Sequence, residues 1–446
     1  MVARTAVYAL GDIADEIDKL GEPANPGLVS NLRNAVKVLD GGGTLYGYYG
    51  SGKSLISLLY SIYKTLSGEP TLVLEAYAVL RLNGELKLGD ISPTLASLNI
   101  LKSRTVDGKS VGELIVKWLT EIDSSIGSVQ VSELVNRLTK LRDVSVSVTN
   151  KGLERLLELA RILQNNNDIR HIVFDEFERL VANPTAYGYN TRGDLLEDLF
   201  MFADRKEPSI ALSIPHTLRG MLDLEIIARL QPMIQIIYEE DELWDLFEKF
   251  TMIRAEPELV EKLVEELREL GLSFKVPRAV VTLASEAIRA KSLIELALER
   301  TKFLCLASYN YPTRSARRRA LLAIFYTYVW LRQDAYSPVD EERIRAAKGR
   351  ICSLLLSALK DLKITGKVAD YVKEICDTLK PKDILAEARR LGVLERVGTI
   401  YILSLNAVTN LVSAITGQLA DIASRNYGIR FEPKSLLVEL QLYGRE

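Results

Sequence analysis

Short apolar runs alternate with longer amphipathic stretches through the first half of this chain. Four runs, at residues 43–46, 70–77, 169–174 and 209–214, are mostly apolar and rich in β-branched or aromatic side chains, which predicts buried strands. The stretches between them carry apolar residues at helical spacing, which predicts helices. Strands that alternate with helices favour an α/β fold with a parallel sheet.

The connection between the second and third predicted strands is long. Residues 90–167 have mostly helical patterns, with amphipathic helices predicted at 111–119 and 131–138. A simple crossover between strands needs far fewer residues. We therefore expect an inserted helical element, which serves either as a contact for DNA or a partner, or as extra packing.

The last part of the chain has a different pattern. Helical spacing at 350–360, 367–379 and 380–392 is followed by residues 393–405, where two short strands are predicted around Gly398. Three helices followed by a small hairpin are typical of a winged helix, whose third helix enters the major groove of DNA. Winged helices also serve as protein contacts, and both functions stay open at this point.

Composition is that of a globular protein with several domains. The chain has 446 residues, of which 48% are hydrophobic and 26% are charged, and its net charge is −2. A nearly neutral protein has no overall field that draws it to nucleic acid, so DNA contact needs a local basic patch. No stretch is long and apolar enough for a membrane span, and the N-terminus does not resemble a secretion signal. We therefore expect a cytoplasmic protein without membrane contact.

Cysteine and histidine are scarce. Cys305, Cys352 and Cys376 are far apart and lack metal-ligand spacing, so we expect reduced cysteines that behave as small buried hydrophobic residues. Two histidines, His171 and His216, are too few for a multi-histidine metal centre. Catalysis by this chain therefore has to use carboxylates, lysines, arginines and a bound metal.

The clearest chemical signal follows the first predicted strand. It is a complete G-x-x-x-x-G-K-[ST] phosphate loop, and the predicted nucleotide-binding residues are Gly47, Tyr48, Tyr49, Gly50, Ser51, Gly52, Lys53, Ser54 and Leu55. Glycines let backbone N–H groups curl towards phosphate oxygens, and the helix that follows points its positive end at them. We expect Lys53 to reach the β- and γ-phosphates of ATP and the Ser54 hydroxyl to hold Mg²⁺.

A pair of acids, Asp175 and Glu176, ends the third predicted strand. Ligands of open α/β sheets bind at the carboxyl ends of the strands. In phosphoryl transfer, Asp175 would hold Mg²⁺ and Glu176 would polarise the attacking water. Many strands end in acids, so this assignment depends on the preceding phosphate loop. Near the end of the fourth strand, we expect either His216 or Ser213 to contact the γ-phosphate or the water, unless both are ordinary polar residues at the sheet edge.

The order of these parts resembles that of the AAA+ ATPases, and among them the archaeal replication-initiator (origin-recognition) proteins. Residues 31–39 are similar to the helix that precedes the phosphate loop in that family. By the same resemblance, Arg229 is the arginine finger that neutralises charge on ATP held by a neighbouring subunit. Arg278 resembles the lid arginine that contacts the γ-phosphate. For both arginines, an ion pair with a surface acid is the alternative.

The resemblance implies three domains, namely a P-loop AAA+ core at 1–240, a helical lid at 241–335 and a winged-helix-like domain at 336–446. The last domain carries a local group of basic residues, Lys380, Lys382, Arg389, Arg390 and Arg396. A second basic cluster, at 314–319, has either DNA phosphate or an acidic neighbour as its partner.

The sequence thus predicts a Mg²⁺-dependent ATPase that assembles as a homo-oligomer through its ATP sites and acts on DNA as a replication initiator or loader. Its turnover is either fast or slow, because it depends on how Arg229 is presented by a neighbour. Two other classes stay open. A STAND-type signalling ATPase would contact proteins through its tail, and a transposition or plasmid-maintenance ATPase would coat DNA as a filament.

Overall fold

A computed structural model gives the structure of this protein. It describes residues 4–48, 50–81, 84–124, 131–182, 184–270, 274, 276–292, 339–361, 365–378, 380–390, 394–397 and 400–403. The chain divides into two compact units, Met1–Lys249 and Phe250–Glu446.

Several sequence predictions concern residues outside these described ranges. Tyr49, Cys305, the basic cluster at 314–319 and the domain boundary at 335/336 lie outside the described residues. The boundary at 240/241 falls at the start of a described helix, Glu240–Met252, and stays a prediction.

A five-stranded parallel sheet lies at the centre of the first unit, in the order β2-β5-β6-β1-β7. The strands within the described ranges are β1 (Thr44–Gly47), β2 (Thr71–Glu75), β3 (Glu85–Lys87), β4 (Ser145–Ser147), β5 (His171–Asp175), β6 (Ile210–Pro215), β7 (Met233–Gln235), β8 (Leu394–Val397) and β9 (Ile400–Leu403). The pairs β3–β4 and β8–β9 are antiparallel. Since β1, β2, β5 and β6 correspond to the four predicted strands, the predicted α/β fold with a parallel sheet is confirmed.

The described residues also form helices in both units. They are α1 (Arg4–Leu20), α2 (Gly27–Leu39), α3 (Lys53–Leu66), α4 (Ala76–Arg81), α5 (Leu88–Ile91), α6 (Pro93–Ala96), α7 (Leu98–Leu101), α8 (Val111–Ile122), α9 (Val131–Arg142), α10 (Glu154–Asn166), α11 (Phe177–Ala182), α12 (Arg192–Arg205), α13 (His216–Met221), α14 (Leu224–Arg229), α15 (Glu240–Met252), α16 (Pro257–Leu270), α17 (Pro277–Ala290), α18 (Glu341–Asp361), α19 (Lys367–Thr378) and α20 (Pro381–Arg390), with a 3₁₀ turn at Pro184–Tyr187.

The central sheet is covered on both faces. Every residue of β2 and every residue of β6 is buried. Because successive side chains of a strand point to opposite faces, this burial requires packing on each side. The buried, nearly continuous apolar runs in the sequence have this origin.

The inserted region between β2 and β5 is part of the same core. Its side chains Leu95, Ile115, Leu119 and Leu138 belong to the buried cluster that also contains the strands. Within the chain, this region therefore adds packing to the core, which is one of its two expected roles. A further contact with DNA or a partner stays a prediction.

This region also covers the edge of the sheet at β2. The Ser92 hydroxyl donates to the Val73 carbonyl at 2.8 Å, and the Val73 N–H donates to Thr94 Oγ1 at 2.9 Å. Two residues before Val73, the Thr71 N–H donates to Oγ1 of Thr65, which belongs to α3, at 3.2 Å. The outward-facing backbone of this edge strand is thus hydrogen-bonded to side chains instead of to another strand.

In the second unit, α18 packs against both α19 and α20, and α20 is followed by the β8–β9 hairpin. The three predicted helices and the predicted hairpin are therefore present. Their identity as a winged helix stays a prediction.

One sequence prediction about this unit is wrong. Cys352 of α18 and Cys376 of α19 form a disulfide, with their Cα atoms 5.6 Å apart. The two residues were expected to be reduced, because 24 residues separate them in the sequence. Packing of the two helices brings them within the Cα–Cα distance that a disulfide requires.

Across the described ranges, there is no helix that combines the length and the apolar character needed to cross a lipid bilayer.

Candidate functional site

The phosphate loop connects the end of β1 to the start of α3. Gly50 and Gly52 have φ angles of +85° and +91°, in the left-handed region that favours glycine. Gly47 has no room for a side chain, because a Cβ there would lie 2.8 Å from Ser51 Oγ and 3.1 Å from the Ile236 carbonyl oxygen. The loop is thus a tight curl that begins at one glycine and enters the helix through another.

Lys53, the first residue of α3, points its amino group back into this curl. Its Nζ atom donates to the carbonyl oxygens of Gly47, at 3.0 Å, and Tyr48, at 3.3 Å, and the side chain is almost fully buried. Ser54 and Leu55, in the same helical turn, are half-buried. A cation held beside backbone N–H groups at a helix start is suited to an anion with several oxygen atoms.

The carboxylate of Asp175 ends the buried strand β5. In the register of the sheet, Asp175 lies beside Glu75 of β2, and both residues are fully buried. On the other side, Phe174 pairs with Leu212, so the next residues, Asp175 and Ser213, are neighbours on the same face. Glu75, Asp175 and Ser213 therefore form one row of polar side chains across three strands.

Glu75 was not among the residues predicted from the sequence. It ends an apolar strand in the same way that Asp175 does, and this is the signal that identifies it. Its carboxylate accepts a hydrogen bond from Tyr77 and, together with burial, raises the pKa of the Tyr77 phenol above its usual value, burial having the larger effect.

Strand β6 lies between β5 and β1, so its end lies between the acids and the phosphate loop. Pro215 pairs with Gly47, and His216 follows as the first residue of α13. The His216 ring stacks on the Tyr48 ring with centroids 4.7 Å apart and planes 7° apart. His216 thus contacts the phosphate loop, whereas Ser213 lies deeper, beside Asp175.

Glu176, the second acid, is half-buried and has a φ angle of +65°. Its Oε2 atom accepts a hydrogen bond from Arg179 Nε at 3.2 Å. The Arg179 guanidinium in turn lies 4.1 Å from the centre of the Tyr77 ring. This carboxylate is therefore held on the side of β5 that faces β2.

The residues present fit a nucleotide phosphate and its metal. Ser51 Oγ, inside the curl, and Ser213 Oγ, beside Asp175, are buried and have no hydrogen-bond partner among the described residues. Buried hydroxyl groups of this kind call for a hydrogen-bond partner, which the described residues do not supply. Mg²⁺ is usually held by one or two carboxylates together with phosphate oxygens, and Asp175 would supply such a carboxylate. The Ser54 hydroxyl would be a further oxygen ligand.

Three further residues near the loop were missed by sequence reasoning. Tyr238, after β7, places its hydroxyl 3.4 Å from where a Cβ of Gly52 would lie. The Asn25 side chain lies next to this hydroxyl, and burial raises the pKa of the Tyr238 phenol. Asn31 fixes the region, because its Nδ2 atom donates to the carbonyl oxygens of Gly27 and Ile237, both at 2.9 Å. Nothing in the sequence pattern singles out these residues.

Arg229 lies near the start of β1, at the end of the sheet opposite to the phosphate loop. It ends α14, and the next residue, Leu230, accepts a hydrogen bond from Thr44 Oγ1, at the start of β1, at 3.0 Å. Its Nε atom is 3.1 Å from Asp204 Oδ1, and its guanidinium lies 4.3 Å from the centre of the Phe200 ring. Arg229 is therefore not brought together with the phosphate loop of its own chain.

Arg278 belongs to the second unit. It is the second residue of α17, which begins at Pro277 after the N-cap residue Val276, and it is half-buried. The expected place of this arginine, just inside a helix start, is what the structure has. Its contact with a nucleotide stays a prediction.

The third helix of the second unit, α20, has a basic exposed side. Ile384, Leu385 and Ala388 are buried, and the exposed residues include Lys382, Arg389 and Arg390. Arg390 pairs with Glu387 at 2.5 Å. The buried and basic positions thus lie on different sides of one helix.

No protein-family model matches this chain, and no curated protein matches it either. Within the described residues, no group of three or more histidine, cysteine, aspartate or glutamate side chains is placed to hold a metal by itself. Function is therefore inferred from the geometry of the phosphate loop and its neighbours.

Proposed function

We propose that the protein is a Mg²⁺-dependent ATPase of the AAA+ type. The observation that supports this most is the strand order β5-β6-β1, which aligns Asp175, His216 and Lys53 along the carboxyl edge of one sheet. Neighbouring strands are about 4.8 Å apart, so the end of β5, which carries the acid, and the end of β1, where the loop begins, are roughly 10 Å apart. That span accommodates the terminal phosphates of a nucleotide and a metal ion.

Each group has a role that its chemistry supports. Lys53 and the backbone N–H groups of the loop bind the β- and γ-phosphates, and Ser54 and Asp175 hold Mg²⁺. The metal, when bound, neutralises charge on the phosphate oxygens. Glu176 polarises the attacking water, and His216 contacts the γ-phosphate or that water.

The direction of the nucleotide across the sheet also follows from this arrangement. From the acids that end β5, we infer a γ-phosphate on the β6 side of the loop. The nucleoside then extends to the β7 side, where Asn25 and Tyr238 offer an amide and a hydroxyl next to Gly52. Amide and hydroxyl groups in a partly apolar pocket are suited to a base and a ribose.

Assembly through the ATP site is supported by the position of Arg229. This arginine lies at the end of the sheet remote from its own phosphate loop. It is therefore suited to contact the nucleotide of a neighbouring copy. DNA is the proposed substrate of the assembly. The exposed residues Lys382, Arg389 and Arg390 lie on α20, the helix that precedes the β-hairpin in the sequence.

Nucleotide binding by paired variants tests the proposal. Lys53→Ala removes the cation of the phosphate loop, and we expect ATP affinity to fall by more than tenfold, as measured by calorimetry with Mg²⁺. Glu176→Gln removes only the group that polarises water, so it should bind ATP like the wild type and lose turnover. The site assignment is wrong if both variants bind and hydrolyse ATP as the wild type does.

A further inference from the structure

A small two-stranded sheet belongs to the inserted region between β2 and β5. Strands β3 and β4 pair antiparallel, with Leu86 opposite Val146. Both of these side chains are buried, whereas Ser145 and Ser147, on either side of Val146, are exposed. One face of this sheet therefore packs on the core, and the other presents serine hydroxyl groups at the surface.

The hydrogen bonds of this pair show which way the backbone of β4 points. The Leu88 N–H donates to the Val144 carbonyl at 2.9 Å. Because hydrogen-bonded and non-hydrogen-bonded positions alternate in an antiparallel pair, Val146 also bonds towards β3. The backbone N–H and carbonyl groups of Ser145 and Ser147 then point away from β3, and no described residue bonds to them on that side.

The outer edge of β4 lacks the protection that other edges of this unit have. An open edge can recruit a strand from another chain unless it is covered or charged. Side chains cover the edge at β2. The outer edge of β3 carries Glu85 and Lys87, and Lys87 is paired with Asp143. At β4, the exposed side chains are two uncharged serines, so this edge remains open to another strand.

The segment around β4 is complementary to itself. Residues 144–148 are Val-Ser-Val-Ser-Val, which reads the same in both directions. If two such segments pair antiparallel about Val146, Ser145 lies opposite Ser147 of the second copy, and each valine lies opposite a valine. Asp143 then lies opposite Thr149, so no like charges meet within residues 143–149. Both serine pairs occupy hydrogen-bonded positions, because their backbone groups point outwards.

We propose that the outer edge of β4 is a self-association surface through which two copies form a symmetric dimer with one continuous sheet, β3-β4-β4-β3. A two-fold dimer uses the same surface on both copies, and the palindromic segment supplies such a surface. This dimer is separate from the proposed assembly through ATP sites, because β4 contains none of the nucleotide-binding residues. Since the strand has only three residues, association should be reversible and should depend on protein concentration.

Sedimentation of the nucleotide-free full chain over a series of protein concentrations tests the proposal. We expect the wild type to shift from monomer to dimer as the concentration rises. Ser147→Pro removes an outward N–H and leaves the bonds to β3 in place, as proline does on edge strands. By symmetry it removes this donor from both copies, so the dissociation constant of the dimer should rise at least roughly fivefold.

Lys87→Pro is the matched control. Lys87 occupies the corresponding outward position on β3, opposite Ser145, and its φ angle of −85° is close to the value that proline requires. The same substitution is thus made in the same sheet, at the edge where no association is proposed. Its dimer dissociation constant should equal that of the wild type.

Charge variants test the register of the two copies. Ser145→Glu with Ser147→Lys places opposite charges across the two-fold axis, so the dimer should become tighter than in the wild type. Ser145→Glu with Ser147→Glu places like charges there, and the dimer should be weakened. Thermal unfolding of both variants identifies any loss of the fold.

Hydrogen exchange locates the contact. The amides of Ser145 and Ser147 should exchange more slowly at high protein concentration, because the dimer protects them. The proposal is refuted if the wild type stays monomeric, if Ser147→Pro dimerises as the wild type does, or if the dimer leaves these amides unprotected. Association that needs ATP and is lost in Lys53→Ala would also refute it, and would support the assembly through ATP sites.

Discussion

At the residue scale, the site depends on a row of side chains that sheet register creates. Glu75, Asp175 and Ser213 are distant in the sequence and adjacent across β2, β5 and β6. All three are fully buried. A buried row with two carboxylates requires compensation by cations or protons, and Mg²⁺ held by Asp175 would supply it.

The first prediction at this scale concerns Arg229. Replacing it with alanine removes the group proposed to act on a neighbouring copy, so turnover should fall at least tenfold with unchanged ATP affinity. The lost ion pair with Asp204 joins partly exposed side chains, so its removal should cost less than about 1 kcal/mol of stability. Turnover and calorimetric ATP binding are the two measurements.

Mixing two inactive variants provides the sharper result. Lys53→Ala lacks the nucleotide and retains Arg229, whereas Arg229→Ala binds the nucleotide and lacks the arginine. If Arg229 acts between copies, an equimolar mixture should regain part of the activity, because some interfaces combine one intact site with one intact arginine. A mixture as inactive as its components would argue against action between copies.

The sequence predicted the site residues that belong to a motif and missed those that depend on register. Lys53 is recognisable from the fixed spacing of the phosphate loop, and Asp175 is recognisable because it ends an apolar run. Glu75 and Tyr238 became candidates only when pairing placed them beside Asp175 and Gly52. Glu75 ends an apolar run, as Asp175 does, but a single sequence does not show that their two strands are neighbours or that Tyr238 lies beside Gly52.

At the element scale, the disulfide fixes the α18–α19 pair. It joins residues 24 apart in the sequence, and closing a loop of that length is expected to stabilise the folded state by about 3 kcal/mol. We expect a dithiol reductant to lower the unfolding temperature of the second unit, as measured by calorimetry of the full chain. The variant with Cys352→Ser and Cys376→Ser should no longer respond to the reductant.

The outcome is readily distinguished from a general effect of reduction. Cys305→Ser should leave the response to reductant intact, because the bond involves only the other two cysteines. An unfolding temperature that is the same with and without reductant in the wild type would contradict a stabilising disulfide.

Elements were otherwise well predicted from hydrophobic spacing, since α18, α19, α20 and the hairpin all lie within the predicted segments or overlap them.

At the scale of the whole molecule, the two units divide the proposed functions. The first, Met1–Lys249, holds the phosphate loop and the acids, and the second, Phe250–Glu446, holds Arg278 and the basic side of α20. A protein whose net charge is only −2 needs such a local group of cations to contact DNA.

DNA binding by the full chain across a salt series tests this division. Phosphate contacts give an affinity that falls steeply with salt, and each lost contact lowers the slope by about 1. We expect Lys382→Gln with Arg389→Gln to weaken binding and reduce the slope, and Lys117→Gln, an exposed lysine on α8, to change neither. Absence of binding at low salt would instead favour the signalling ATPase, whose tail contacts proteins.

The covered edge at β2 limits how copies of this protein can join. A strand with unused N–H and carbonyl groups can recruit a strand from another chain, and sheets then propagate from molecule to molecule. Here Thr65 accepts from the outward N–H of Thr71, and Thr94 and Ser92 bind the outward N–H and carbonyl of Val73. Ordered rings or filaments of this protein therefore do not grow by strand addition at that edge.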